Sequence, residues 1–134
     1  MKKIFLGGTC NNSQWREELI PLLKIDYFNP VTNDWTPDCQ QEERLQRSIC
    51  DYVLYVITPK MHGHFSIAEA TDDSNKRPQK TIFCVLHNDF FDGGLDMFSP
   101  QQIRSFIEIK KLIKSNGANV FDTLGEIADF VNNN

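Results

Sequence analysis

Six consecutive residues, Tyr52-Val53-Leu54-Tyr55-Val56-Ile57, run without the apolar-polar alternation of a half-exposed strand. A strand that is apolar on both sides needs cover on both sides, which is the situation of a central strand in a parallel sheet. Thr81 to Leu86 is a second run of this kind, and Lys3 to Leu6 is a shorter one that ends at Gly7-Gly8. These runs set the frame for the rest of the chain.

Helical segments separate them. Ser13 precedes Trp15, Leu19, Leu22 and Leu23, which recur at helical spacing, so Ser13 is expected as the cap and Pro21 as a bend in the last turn. Ile25 to Phe28 reads as a second strand, and Asn29 to Pro37 as a loop dense in turn residues. Cys39 to Cys50 is a polar helix with Leu45 and Ile49 four apart, and Asp51 leads into the central strand. Thr58 to His64 reads as a loop, and Ser66 opens a helix that fades near Asn75. After Leu86 comes a loop with Asp92-Gly93-Gly94, then Ser99-Pro100-Gln101-Gln102, a capping-box start with proline at the first helical position. That helix ends at Gly117, Ala118 to Phe121 forms a last strand, and Asp122 or Thr123 caps a closing helix through Val131.

Strand and helix thus alternate five times, which predicts an α/β fold: a doubly wound, five-stranded parallel sheet in the flavodoxin-like order 2-1-3-4-5, with helices on both faces. Residues 1–134 are expected to form a single domain, long enough to bury a core without disulfides or metals. In this order ligands bind beyond the carboxyl ends of strands one and three, where the winding reverses. Gly7 to Ser13, Asn29 to Thr36 and Thr58 to Glu69 meet there.

Composition narrows the function. Charged residues make up 24% and apolar residues 40%, an ordinary soluble balance, and the net charge of −4 argues against a nucleic-acid polymer as partner. Only three apolar residues follow Met1-Lys2-Lys3 before Gly7, too few for a signal core or a membrane span, so the expected location is cytoplasmic. Cys10, Cys39, Cys50 and Cys84 lack C-x-x-C spacing and are expected as reduced thiols. No cofactor and no metal is expected.

Several residues have both a plain and a chemical reading. Gly7-Gly8-Thr9-Cys10-Asn11-Asn12-Ser13 between a strand and a helix is a tight turn or a close approach to a sugar or phosphate, and it matches neither G-x-G-x-x-G nor a P-loop. Ser66-Ile67-Ala68-Glu69 has the spacing of a capping box, while the alternative makes Glu69 a nucleophilic carboxylate kept ionised by the helix amino terminus. Glu42, Glu43 and Arg44 read as a solvated face, from which one carboxylate could lean over the strand ends as a proton donor. Asp51, at the amino end of its strand, reads as structural. His62 and His64 flank Gly63 without a third metal ligand, so polar contact to a ligand or solvent exposure is the expectation. Trp35 is a lid anchor or a stacking platform for a flat ring.

Taken in order, Ile4-Phe5-Leu6-Gly7-Gly8-Thr9, Asn29-Pro30-Val31-Thr32-Asn33-Asp34-Trp35, Cys50-Asp51-Tyr52-Val53-Leu54-Tyr55-Val56-Ile57 and Gly63-His64-Phe65-Ser66-Ile67-Ala68-Glu69-Ala70 resemble the nucleoside 2-deoxyribosyltransferase-like family. The resemblance runs from the first strand to about Leu86. It implies that Glu69 attacks the anomeric carbon of a nucleoside, forms a covalent glycosyl-enzyme and passes the sugar to a second base or to water. It places Glu43 as the carboxylate that protonates the leaving base, the two-carboxylate logic of glycosyl transfer applied to an N-glycosidic bond.

The resemblance further implies a substrate that is a nucleoside or nucleoside monophosphate, contacts to sugar and base from Gly8, Thr9, Asn12, Asn29, Asp34, Trp35, His62, His64 and Ser66, and assembly as a homodimer or larger. Two positions depart from the family pattern: a first-strand tyrosine that orients the nucleophile is Phe5 here, and an acidic residue six before the nucleophile is Gly63. Phe5 and Gly63 point to a second reading, a catalytically silent nucleotide-binding or sensor module, and Glu69 points away from it. A third reading is a nicotinamide dinucleotide glycohydrolase.

Overall fold

The computed structural model describes residues 1–10, 12–32 and 36–134. In chain order the elements are β1 (Lys3–Gly8), α1 (Trp15–Leu19) with a 3-10 turn (Ile20–Leu22), β2 (Asp26–Phe28), α2 (Pro37–Ile49), β3 (Tyr52–Ile57) and α3 (Phe65–Lys76). A second 3-10 turn (Pro78–Lys80), β4 (Thr81–Val85), β5 (Asn88–Phe91), β6 (Gly94–Met97), α4 (Pro100–Ser115), β7 (Asn119–Phe121) and α5 (Leu124–Asn132) complete the chain. Five strands form a sheet in the order β2-β1-β3-β4-β7, and every pair in it is parallel. This is the expected 2-1-3-4-5 order, with β7 as the fifth strand of the sheet.

β3 lies in the middle, and its six residues are all buried. Its alternate side chains feed two cores. Tyr52, Leu54 and Val56 pack with Ile4, Leu6, Trp15, Leu19, Ile127 and Val131, so α1 and α5 cover one face. Val53, Tyr55 and Ile57 pack with Phe5, Ala70, Phe83, Phe106 and Ile113, so α3 and α4 cover the other. The two-sided apolar run is the physical cause of this double layer.

The helix starts follow local chemistry in part. Ser99 and Gln102 form the expected capping box on α4, and Thr123 caps α5 by accepting from the Glu126 amide. α2 starts before Cys39, at Pro37, because Thr36 caps it and proline suits the first helical position. Pro21 turns the end of α1 into 3-10 geometry. Asp51 has the structural role expected of it, accepting the Lys3 amide at 2.8 Å.

Four expectations are corrected. The segment after Leu86 is not a simple loop: β5 and β6 pair as an antiparallel hairpin outside the main sheet, turning at Asp92 and Gly93, both at positive φ. Ser13 does not cap α1, whose N-cap Gln14 makes no side-chain bond. The Ser13 hydroxyl instead donates to Asp89 of the hairpin. Asp89 faces Asp96 across the hairpin, and Asp96 pairs with Lys60 at 2.9 Å, so each carboxylate of this like-charged pair is satisfied by a loop at the carboxyl ends of β1 and β3. β1 continues through Gly7 and Gly8 instead of ending there. Finally, α3 begins at Phe65 with His64 as its N-cap and no side-chain cap, so the Ser66–Glu69 capping box is not made.

Cys10, Cys50 and Cys84 are free thiols, with Cys50 and Cys84 buried. Burial pushes the Cys84 thiol up to about 12. Among the described residues, no helix is long and apolar enough to cross a membrane, and no group of three His, Cys, Asp or Glu residues could hold a metal ion.

Candidate active site

At the carboxyl ends of β1 and β3 a cavity of about 230 Å³ opens between the two strands and helices α2 and α3. Its wall includes Phe5, Gly7, Gly8, Arg16, Glu43, Tyr55, Ser66 and Glu69. Two carboxylates from separate helices thus share one hollow, at the point where the winding of the sheet reverses.

Helical spacing explains their company. Glu69 and Asp73 are four apart on α3, and Glu43 and Arg47 are four apart on α2, so each pair occupies one helix face. Arg47 links the two helices. Its Nε donates to the Tyr55 hydroxyl at 2.8 Å and to Asp73 Oδ2 at 3.1 Å, and its Nη2 donates to Asp73 Oδ1 at 3.0 Å. Its Nη1 stands 3.4 Å from Glu69 Oε2. Asp73 is fully buried and also takes the Tyr55 hydroxyl at 2.6 Å and Arg77 Nε at 2.9 Å.

The electrostatics follow from this arrangement. Burial raises the Glu69 carboxyl above the ordinary range, Arg47 draws it back in part, and the negative charges of Glu43 and Asp73 push it up again. Burial disfavours the Arg47 cation, but Tyr55, Asp73 and Glu69 outweigh that and hold it firmly protonated. Burial, with the hydrogen bond and charge of Asp73, raises Tyr55 far enough that its hydroxyl stays protonated. The expectation that the start of α3 keeps Glu69 ionised is corrected: Glu69 is the fifth residue of the helix, past the first turn where the dipole acts, and the cation beside it is Arg47.

Arg16 is a buried cation on the wall. Its guanidinium donates to the Leu6 carbonyl at 3.0 and 2.9 Å and to the Thr9 carbonyl at 2.7 Å, which fastens the β1–α1 turn to the end of the strand. Burial lowers its pKa, opposed by Cys10, Glu17 and Glu43.

The predicted residues divide. Glu43, Glu69, Gly8 and Ser66 line the cavity together. A neighbouring hollow of about 180 Å³ shares Gly8, Cys10 and Ser66 with it and adds Thr9, His62 and Phe65. Thr9 is buried, and its hydroxyl accepts the Thr58 amide at 3.0 Å, a bond that ties the end of β1 to the end of β3. Asn12 lies apart, in a hollow beside Lys60, His62 and the hairpin residues Phe91, Asp92 and Asp96. Asn29 folds back to accept the Val31 amide at 3.1 Å, and neither it nor the exposed His64 lines the cavity of Glu69. Asp34 and Trp35 lie outside the described residues.

Arg47, Tyr55, Asp73 and Arg16 were not singled out by sequence. A signal existed for the first three: a tyrosine in a two-sided apolar strand needs a partner for its hydroxyl, and two acids four apart on one helix face need a cation. A larger cavity, about 830 Å³, lies at the ends of β4 and β7 against Trp15, His87, Phe90, Ile107 and Lys110. None of the described candidate residues lines it.

The chain has no match among curated proteins. Residues 1–90 match the model of a family described as nucleoside 2-deoxyribosyltransferase like, a span that holds β1 to β4 and every residue of the two-carboxylate cavity. The chain belongs to the nucleoside 2-deoxyribosyltransferase-like family.

Proposed function

We propose that this protein acts on the N-glycosidic bond of a nucleoside, deoxynucleoside or nucleoside monophosphate, with Glu69 as nucleophile and Glu43 as proton donor. The observation that carries the reading is the pair of carboxylates in one hollow at the winding reversal, one beside a cation and the other without a salt-bridge partner among the described residues. A Glu69 oxygen attacks the anomeric carbon as the bond to the base breaks. The electron pair of that bond leaves with the base nitrogen, which takes the proton of Glu43. The resulting sugar ester of Glu69 is then opened by a second base or by water, which Glu43, now ionised, deprotonates.

The 230 Å³ cavity and the adjoining 180 Å³ hollow share Gly8, Cys10 and Ser66, and this continuity suits a ligand with two parts, a sugar over the carboxylates and a base toward Phe65 and His62. A homo-oligomer remains part of the proposal, and so does a small-molecule partner in place of a nucleic-acid polymer.

The test is incubation with a panel of ribo- and deoxyribonucleosides, their monophosphates and nicotinamide dinucleotide, with chromatographic detection of free base. Base release from one class, lost in Glu69→Ala, is the expected result. Exchange of bases when a second base is added separates transfer from hydrolysis. Binding of a nucleotide without release of base from any member of the panel would replace this reading with that of a silent sensor module, which Phe5 favours by placing a ring without a hydroxyl in the cavity wall.

A further inference from the structure

We propose that Arg47 is the positioning residue of the nucleophile: clamped by Tyr55 and Asp73, its guanidinium presents one edge to Glu69, sets its charge against the acidic neighbours and aims that carboxylate into the cavity. The inference rests on the reading of Glu69 as nucleophile.

The geometry of the fork carries it. Nε and Nη2 of Arg47 are engaged by Asp73 and Tyr55, and a planar guanidinium held on that side has no freedom left for the other. Nη1 is therefore fixed where it stands, 3.4 Å from Glu69 Oε2. Asp73 is itself held from three directions, by Arg47, Arg77 and the Tyr55 hydroxyl, and it is fully buried. Gly7 makes room for the device: it pairs with Tyr55 in the sheet, and a β-carbon on it would lie 3.1 Å from Tyr55 Cδ1.

The surroundings of Glu69 make the cation necessary. α2 presents Glu43 and Arg47, α3 presents Asp73, β3 presents Tyr55, and the β1 end and α1 add Cys10 and Arg16. Two of these groups are carboxylates, and among the described residues Arg47 is the one cation within 4.0 Å of Glu69. Without it, burial and like charge act on Glu69 unopposed.

The test compares the full chain with Arg47→Gln and Arg47→Lys in two measurements. One is the pH profile of kcat and KM for a substrate that the parent cleaves. The other is the titration midpoint of the Glu69 carboxyl by carbon-13 NMR, assigned with Glu69→Gln, which needs no activity. Arg47→Gln is expected to raise the midpoint, move the acidic limb of kcat to higher pH and lower kcat about 100-fold, the scale of a nucleophile misplaced by an ångström, with KM little changed. Arg47→Lys keeps the charge but loses the fork, so it should restore the midpoint and recover only part of kcat. A midpoint unmoved in Arg47→Gln, or parental kcat in Arg47→Lys, overturns the proposal. If Arg47→Gln does not fold, Arg47→Lys decides it. If the parent releases no base, the reading of the reaction fails, while the titration still decides whether Arg47 governs Glu69.

Discussion

Gly8 lies so close to Val56 that a β-carbon built on it would sit 2.1 Å from the Val56 carbonyl oxygen and 2.6 Å from its nitrogen. The last residue of β1 thus touches the backbone of β3 directly, and its φ of +115 is one that side chains rarely adopt. Gly8→Ala is therefore expected to force the strands apart at the cavity floor and destabilise the fold by about 1–3 kcal/mol, read from urea denaturation. A variant as stable as the parent would mean that the strand ends separate freely.

The cluster around the buried Asp73 makes a graded prediction. Asp73→Asn leaves Arg47 and Arg77 without their shared counter-charge, which should cost about 3–5 kcal/mol. Tyr55→Phe removes a hydroxyl that donates to Asp73 and accepts from Arg47, and about 1–3 kcal/mol is expected. Chemical denaturation of both variants should give that order, and the reverse order would show that the tyrosine hydroxyl, not the aspartate charge, organises the cluster.

The parallel sheet was legible because Tyr52 to Ile57 and Thr81 to Val85 are apolar on both faces, a pattern that depends on neighbours in the chain alone. Ser99 and Thr123 were legible for the same reason, since a cap acts within a few residues. Ser66 misled because the S-x-x-E spacing fits a box two positions beyond where the helix starts: His64 holds the N-cap, Phe65 is the first helical residue, and Ser66 already lies within α3. The hairpin carried a signal that was read as a loop, an Asp-Gly pair flanked by Phe90 and Leu95, with both turn residues at positive φ.

Of the site, Glu69 was legible as a carboxylate in the helix after the central strand and Glu43 came from the resemblance, and the cavity of α2, α3, β1 and β3 unites them. Arg47 was hidden by its setting on a polar helix, where a charge ordinarily means a solvated face. Its partners Tyr55, Glu69 and Asp73 lie on other elements, so no local spacing announces it. Thr9 and Asn29, polar residues of the loops expected beside the cavity, have side chains that accept backbone amides, and Thr9 also lines the adjoining hollow.

Glu43→Gln should separate proton donation from nucleophilic attack. The variant keeps the shape of the cavity wall and lacks the proton, so base release from an ordinary nucleoside is expected to fall about 10²- to 10⁴-fold and to lose its alkaline limb. A substrate whose leaving group departs without protonation should be spared. Equal activity of variant and parent on ordinary nucleosides would remove Glu43 from the mechanism.

The last prediction concerns what the fold gives up to hold Glu69 in place. Burial raises the Glu69 carboxyl in the folded chain, and Arg47 offsets that only in part. The folded state therefore binds its proton more tightly than the unfolded state, whose glutamate titrates near the ordinary value of about 4.3. Stability linked to this group is fully present below that value and is lost as pH rises through the higher folded value. Above the folded value the ionised carboxylate is a net burden on the fold. Glu69→Gln has no such titration, so relative to the parent it should gain stability as pH rises from the unfolded value past the folded one, and the gain should level off above it. Denaturant midpoints of both proteins from pH 4 to pH 8 test this, with activity lost in the variant at every pH. A stability difference that does not change across that range, or one that favours the parent increasingly at high pH, would show that Arg47 stabilises the Glu69 carboxylate more than burial and its acidic neighbours oppose it.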